Sequence, residues 1–203
     1  KNNVIFSAKI KKITDKYSDK FTHFLRYKND SILISYKTLN KDNPKLNCRL
    51  EGLKKFSPKR IILDNNLNTK TNSYIFNTAY KDNTIIFYNK ANKQKITLFK
   101  KKGIQLIKSN LTKMKYFDLE LVLKKLYKIG TRNILVEGGN NLSGSFLKKK
   151  LFNHFYLFKS PKILTKHMPY KNFNHIKYLI HNYKIKSNIK NKLTKDKITL
   201  YRN

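Results

Sequence analysis

The stretch Asn133–Leu164, NILVEGGNNLSGSFLKKKLFNHFYLFKSPKIL, decides how the rest of the chain is read. A short apolar run, Ile134–Val136, ends in one carboxylate, Glu137, and two glycines, Gly138 and Gly139. A helix-like segment, Leu142–Leu151, and an apolar-aromatic run, Phe155–Phe158, come next, closed by Ser160 and Pro161. Strand, glycine turn, helix and strand in that order predict a parallel crossover unit. Such a unit places a ligand at the carboxyl end of its first strand, where the next helix offers backbone N–H groups and the positive end of its dipole. The turn Gly138–Gly144 has no Lys followed by Ser or Thr, so it is not a P-loop, and it lacks the full G-x-G-x-x-G spacing. By pattern alone it is either a phosphate cradle or a plain turn. Glu137 reads equally as an acceptor for a polar ligand or as a carboxylate interacting with the next helix through its dipole.

Outward from this unit, apolar runs and helical spacings alternate. Thr14 is the expected N-cap of a helix over Asp15–Tyr27, with Tyr17, Phe21, Phe24 and Leu25 at helical spacing and Arg26 at its end. Ser31–Ser35, Arg60–Leu63, Thr84–Tyr88 and Ile104–Ile107 read as strands. Thr38–Leu50 reads as a loop around Asp42, Asn43 and Pro44, and Asn65–Lys81 as polar and irregular. Asp118–Ile129 carries Leu119, Val122, Leu123 and Leu126 on one face and stops at Gly130, the clearest helix in the chain. His167–His181 reads as a connection, and Tyr183–Ile189 and Lys197–Tyr201 as closing strands. The order predicts an α/β fold with a largely parallel sheet and antiparallel strands at the C-terminal end. The whole of 1–203 reads as one domain, without internal repeat or linker.

The chain has 203 residues and a formal net charge of +35. That charge alone points to nucleic acid or an anionic surface. Its make-up points elsewhere, because only Arg26, Arg49, Arg60, Arg132 and Arg202 carry the fork that phosphate recognition favours. The lysines spread along the whole chain beside Asn, Ile, Tyr and Phe, which is a compositional bias and not a basic arm. No run approaches the roughly 18 apolar residues of a membrane span. One cysteine, Cys48, excludes an intrachain disulfide and a cysteine-based zinc site, and points to a reducing, cytoplasmic setting. Histidines 23, 154, 167, 175 and 181 show no metal-ligand spacing, and no Ser-His-Asp or Cys-His arrangement is recognisable. Arg26 and Arg49 are candidates to converge on a phosphate, with solvated surface arginine as the alternative.

Four blocks together resemble one family, the reductase domain of the bifunctional riboflavin-biosynthesis deaminase/reductase. Lys11–Thr14 (KKIT) with His23-Phe24-Leu25-Arg26 is similar to the family's S-K-W-I-T segment and H-x-L-R helix end. Asp30–Arg49 (DSILISYKTLNKDNPKLNCR) resembles D-A-I-L-V-G-x-x-T-x-x-x-D-D-P-x-L-T-x-R. Pro58–Asp64 (PKRIILD) resembles P-x-R-V-V-L-D. Asn133–Leu164 resembles I-x-V-E-G-G-x-x-L-x-x-S-F-L and a strand ending in P-K-L-L. The resemblance covers about Ile10 to the C-terminus.

It implies a three-layer dihydrofolate-reductase-like fold and hydride transfer from NADPH to the ribosyl group of 5-amino-6-(5-phosphoribosylamino)uracil. By position, Arg26, Leu46, Arg49 and Glu137 would bind that phosphorylated pyrimidine. Lys12, Thr14, Thr38, Asp42 and Ser73 would contact NADPH, and Gly139, Asn140, Asn141, Leu142, Ser143, Gly144 and Ser145 would cradle its phosphate. A homodimer and a zinc deaminase domain, fused or separate, are the implied partners; no metal is implied for this half. The departures are Lys12 at the family tryptophan, Ile10 at its serine, Asn43 at the second aspartate of D-D-P and Asn153-His154 at a D-E pair. The family's first strand is not recognisable in Lys1–Lys9. These departures and the charge leave a second reading, a degenerate reductase-like scaffold with a nucleic-acid-binding or assembly role.

Overall fold

A computed structural model describes residues 4–7, 13–162, 170–189 and 194–203. Its elements are β1 (Val4–Ser7), α1 (Lys16–Tyr27), β2 (Ser31–Ser35), α2 (Tyr36–Asp42), β3 (Lys59–Leu63), α3 (Tyr74–Asn77), β4 (Thr84–Tyr88), α4 (Lys93–Lys101) and β5 (Gln105–Lys108), followed by α5 (Leu119–Lys128), β6 (Ile134–Val136), α6 (Asn140–Lys148), β7 (His154–Lys159), β8 (Tyr170–Asn172), α7 (Ile176–Asn182), β9 (Lys186–Ile189) and β10 (Lys197–Arg202). They fall into two compact units, His23–Leu142 and Lys1–Thr22 with Ser143–Asn203, so that the divide runs within α1 and within α6.

In His23–Leu142, five strands form a sheet of order β5-β4-β3-β2-β6 with every pair parallel. Continuous apolar runs make this sheet, because strands covered on both faces need no polar alternation. Ile32, Leu33, Ile34, Ile61, Ile62, Ile85, Ile86 and Phe87 are accordingly buried. One face packs with Leu39, Leu46, Leu67, Ile75, Phe76, Phe99 and Ile104 into a single core. The Phe76 and Phe99 rings meet edge-on at 5.1 Å.

The other unit is antiparallel. Its sheets are β7-β10-β9 and the pair β1-β8. Leu147, Phe173, Ile176, Leu179, Tyr183 and Tyr201 form its core. The buried Tyr183 hydroxyl donates to the Leu147 carbonyl at 2.7 Å, which offsets the cost of enclosing a polar group. The expected architecture, a mostly parallel sheet with antiparallel C-terminal strands, is therefore present.

Several local expectations are corrected. The crossover unit expected in Asn133–Leu164 is not formed, since β6 and β7 belong to separate sheets. β6 has only three residues, and its ladder runs to β2 and on through the Glu137 N–H, which donates to the Leu33 carbonyl at 3.1 Å. β7 instead finds a six-residue antiparallel register with β10. The cap of α1 is Asp15, not Thr14: Asp15 Oδ1 accepts the Tyr17 and Ser18 N–H groups, each at 2.9 Å. Thr38–Leu50 begins inside a helix, because the Ser35 hydroxyl caps the Thr38 N–H and Asn43, at φ 42°, ends α2 in the left-handed conformation that asparagine tolerates. Asn65–Lys81 contains α3, capped by Ser73. The His167–His181 connection holds β8 and α7 over its described part. Lys93–Lys101, not expected as a helix, is one, capped by Asn92. Lys1–Lys9 contains a strand, β1.

Candidate active site

The sheet topology collects the carboxyl ends of the parallel strands along one edge, the place where open α/β sheets bind ligands. Glu137 follows β6 there, and Arg26 lies in the last turn of α1. Arg26 Nε and Nη2 donate to the two Glu137 carboxylate oxygens, each at 2.7 Å. This is a bidentate, charge-assisted pair with side-chain exposures of 11% and 25%. Arg26 Nη1 also donates to the Asn47 carbonyl at 3.1 Å. These bonds use three of the five guanidinium N–H donors, so the fork keeps donor capacity while its plane is fixed.

The turn after α2 supplies the rest. Arg49 is exposed, and its Nη1 donates to Asn47 Oδ1 at 3.2 Å. Asn47 thus touches both arginines, one through its backbone carbonyl and one through its side chain. His23 is buried, with Nδ1 3.1 Å from the Asn47 carbonyl oxygen and 3.3 Å from the Arg49 backbone nitrogen. Burial, then the Arg49 and Arg26 charges, hold His23 below the usual imidazole value. Leu46 is 2% exposed in the core at φ 54°, a strained backbone for a bulky residue. Its side chain is committed to packing, so what it can present to a ligand is main chain. The structure therefore links Arg26, Glu137 and Arg49 through hydrogen bonds that meet at Asn47, with Leu46 next to Asn47 in the chain.

Of the nicotinamide-nucleotide candidates, Thr38 lies beside the glycine turn. A Cβ built on Gly139 would sit 3.7 Å from Thr38 Oγ1, an ordinary contact. Packing does not demand glycine there; its absence of side chain leaves backbone open beside a hydroxyl at the approach to α6. The Thr38 and Ser35 hydroxyls are 3.1 Å apart. Asp42 is the exposed last residue of α2, and Ser73 is buried with its hydroxyl accepting the Phe76 N–H at 3.3 Å. Two asparagines tie these segments together. Asn40 donates to the Asn68 carbonyl at 2.8 Å and accepts from the Lys70 N–H at 3.0 Å. Asn43 accepts the Tyr74 N–H at 2.7 Å.

Asn140, Asn141, Leu142, Ser143, Gly144 and Ser145 all lie within α6, where the first residues stand at the positive end of the helix dipole. Gly144 has a packing reason of its own: a Cβ there would come within 2.1 Å of His175 Nε2. The Thr14 hydroxyl donates to Asp19 at 3.4 Å, and Lys12 lies outside the described residues. No cluster of three metal-binding side chains exists among the described residues, and no described helix is long and apolar enough to cross a membrane. His23, Asn40, Asn43 and Asn47 were not among the expected site residues, although His23 stands in the H-x-L-R block and Asn43 in the block that resembles D-D-P.

The model of the RibD C-terminal domain family matches residues 7–171. The chain belongs to the RibD C-terminal domain family. The riboflavin biosynthesis protein RibD of Aquifex aeolicus is 36% identical over 152 residues, 75% of this chain and 40% of that protein. A protein of Buchnera aphidicola from Acyrthosiphon pisum, named 5-amino-6-(5-phosphoribosylamino)uracil reductase, is 29% identical over 164 residues, 75% of each chain. The solved structure of Acinetobacter baumannii RibD superposes with a TM-score of 0.74 at 17% identity, over 99% of this chain and 55% of that one. The chain thus spans about half or less of the RibD proteins it matches, and it shares their dihydrofolate-reductase-like fold. A RibD reductase domain of this fold implies a nicotinamide nucleotide. A glycine backbone beside the Thr38 hydroxyl, followed by a helix start, fits the phosphate of such a group.

Proposed function

We propose that the chain is the NADPH-dependent reductase that converts 5-amino-6-(5-phosphoribosylamino)uracil into its ribitylamino product in riboflavin biosynthesis. The observation that carries this reading is the bidentate Arg26–Glu137 pair at the carboxyl end of β6, one residue ahead of the glycine turn. A guanidinium beside a carboxylate offers opposite partners to a sugar phosphate and a polar heterocycle, which supports this reading. Family membership and the activity for which the Buchnera relative is named support this choice of reaction.

NADPH would supply the hydride, delivered to the anomeric carbon of the ring-opened ribosylamine while a proton comes from solvent. The chain's own residues bind and orient. Arg49, which is exposed, receives the substrate phosphate together with the remaining Arg26 donors. Glu137 orients Arg26 and accepts from the polar part of the substrate. Thr38, Asp42, Ser73 and the turn Gly139–Ser145 hold the cofactor. Catalysis rests on positioning two reactants, with no protein nucleophile required. One reductase domain runs through both units, working with a zinc deaminase domain, fused or separate, as a cytoplasmic homodimer.

The test is oxidation of NADPH, followed at 340 nm, with purified protein and the phosphoribosylaminouracil. Substrate-dependent loss of absorbance with formation of the ribitylamino compound supports the reading. Failure of the folded protein to bind NADPH at millimolar concentration would remove it.

A further inference from the structure

Among the described residues, His23 is the one buried imidazole in contact with the proposed phosphate-binding turn, and the proposed reaction gives it no part. Its Nδ1 faces two groups, the Asn47 carbonyl at 3.1 Å and the Arg49 N–H at 3.3 Å. A single ring nitrogen cannot donate to the first and accept from the second. The carbonyl already receives a proton from Arg26 Nη1 at 3.1 Å. The Arg49 N–H finds its acceptor only when Nδ1 is unprotonated, so the arrangement favours His23 with its proton on Nε2, Arg26 donating to the Asn47 carbonyl and the Arg49 N–H donating to Nδ1.

We propose that neutral His23, through Nδ1, is the positioning residue that locks the Asn47–Arg49 turn and so sets the spacing of the two arginines for the substrate phosphate. This rests on the reading that Arg26 and Arg49 bind that phosphate. Protonation lets Nδ1 donate only to the Asn47 carbonyl, leaves the Arg49 N–H without its acceptor and places a third cation beside the guanidiniums. The charged groups facing the ring are Arg26 on its own helix, Arg49 on the turn and Glu137 after β6; burial and the arginines outweigh the Asn47 carbonyl and the carboxylate, which holds the imidazole below its usual value. The turn loosens as pH falls through the lowered imidazole range.

The experiment compares His23→Phe, which keeps a ring without an acceptor, with His23→Asn, whose Oδ1 replaces Nδ1 and does not titrate. His23→Phe should raise KM for the phosphorylated substrate about tenfold (~1.4 kcal/mol) with little change in kcat. His23→Asn should restore KM and lose a component of the acid-side rise in KM that wild type shows. Because the substrate phosphate itself titrates near pH ~6, only the difference between wild type and His23→Asn is read. Imidazole 15N shifts at neutral pH should report Nδ1 unprotonated. A protonated Nδ1, an unchanged KM in His23→Phe, or identical acid limbs in wild type and His23→Asn would each overturn the proposal. Should His23→Phe fail to fold, the acid limb and the 15N shifts still decide. A folded wild type that does not oxidise NADPH with this substrate overturns the phosphate-site reading and this proposal with it, whereas an active wild type with unaffected variants overturns only the role of His23.

Discussion

At the scale of the residue, the two carboxylates that matter most do different things. Asp15 accepts the Tyr17 and Ser18 N–H groups, the Thr194 hydroxyl at 2.7 Å and the Lys195 N–H at 3.1 Å. Those bonds, led by the Ser18 N–H, pull its pKa from 3.8 to about 2. A depressed carboxylate contributes stability that is present above its unfolded value and is lost as pH falls through its folded value. Acid unfolding should therefore show a component between these two limits, and Asp15→Asn should flatten it. Asp15→Ala should also cost about 0.5–2 kcal/mol in denaturant titration, the usual loss of an N-cap. Glu137 and Arg26 form one unit, so their removal should not be additive. A double-mutant cycle with Arg26→Ala and Glu137→Gln should give a coupling of about 0.5–3 kcal/mol in stability, and additive losses would mean the pair is not formed in solution. Of the candidate residues, Arg26, Arg49 and Glu137 were legible in the sequence because arginine and acid are scarce in this chain. Asn47 was not, because it meets Arg26 and His23 through a backbone carbonyl that no side-chain pattern announces.

At the scale of the element, legibility followed periodicity. The buried parallel strands and α5 declare themselves by continuous apolar runs or a one-sided stripe, and Asp118 caps α5 as its place before that stripe suggests. Helix α4, KQKITLFKK, buries Phe99 alone, so its pattern was too weak to separate from a lysine-rich loop. Strand pairing was illegible for a different reason: local sequence does not say that three residues of β6 stop at β2, or that β7 prefers β10. Turn chemistry offers a direct test. Gly103 ends α4 at φ 80°, and a Cβ there would meet the Tyr80 Cα at 2.9 Å and the Lys81 nitrogen at 3.0 Å, both backbone. Gly52 has φ 72° and open space around it. Thermal unfolding should show Gly103→Ala losing about 1–3 kcal/mol from its strained backbone plus a further loss from the clash, with Gly52→Ala losing only the first part. Equal losses would mean that backbone conformation alone decides at both sites.

At the scale of the whole molecule, the charge of +35 was the least informative number and the five arginines the most. Arg26 pairs with Glu137, Arg49 meets Asn47, Arg60 is buried with Nη1 on the Thr78 hydroxyl at 2.8 Å, and Arg132 lies 4.2 Å from the Tyr127 ring centroid. These four each have a specific partner, while lysine spreads through the chain as composition. The family blocks were recoverable because they carry the residues that build the sheet edge, and they persist although Lys12 replaces a tryptophan. If that edge binds a nicotinamide nucleotide, saturating NADPH at ~100 times its dissociation constant should raise stability by about 2.7 kcal/mol, and NADPH concentration should shift the unfolding temperature accordingly. The measurement that bears most directly on the central claim is NADPH oxidation at 340 nm by wild type and Arg49→Ala with 5-amino-6-(5-phosphoribosylamino)uracil. The account predicts substrate-dependent oxidation by wild type and a raised KM in a folded Arg49→Ala; no oxidation by wild type that binds NADPH, or an unchanged KM in the variant, would contradict it.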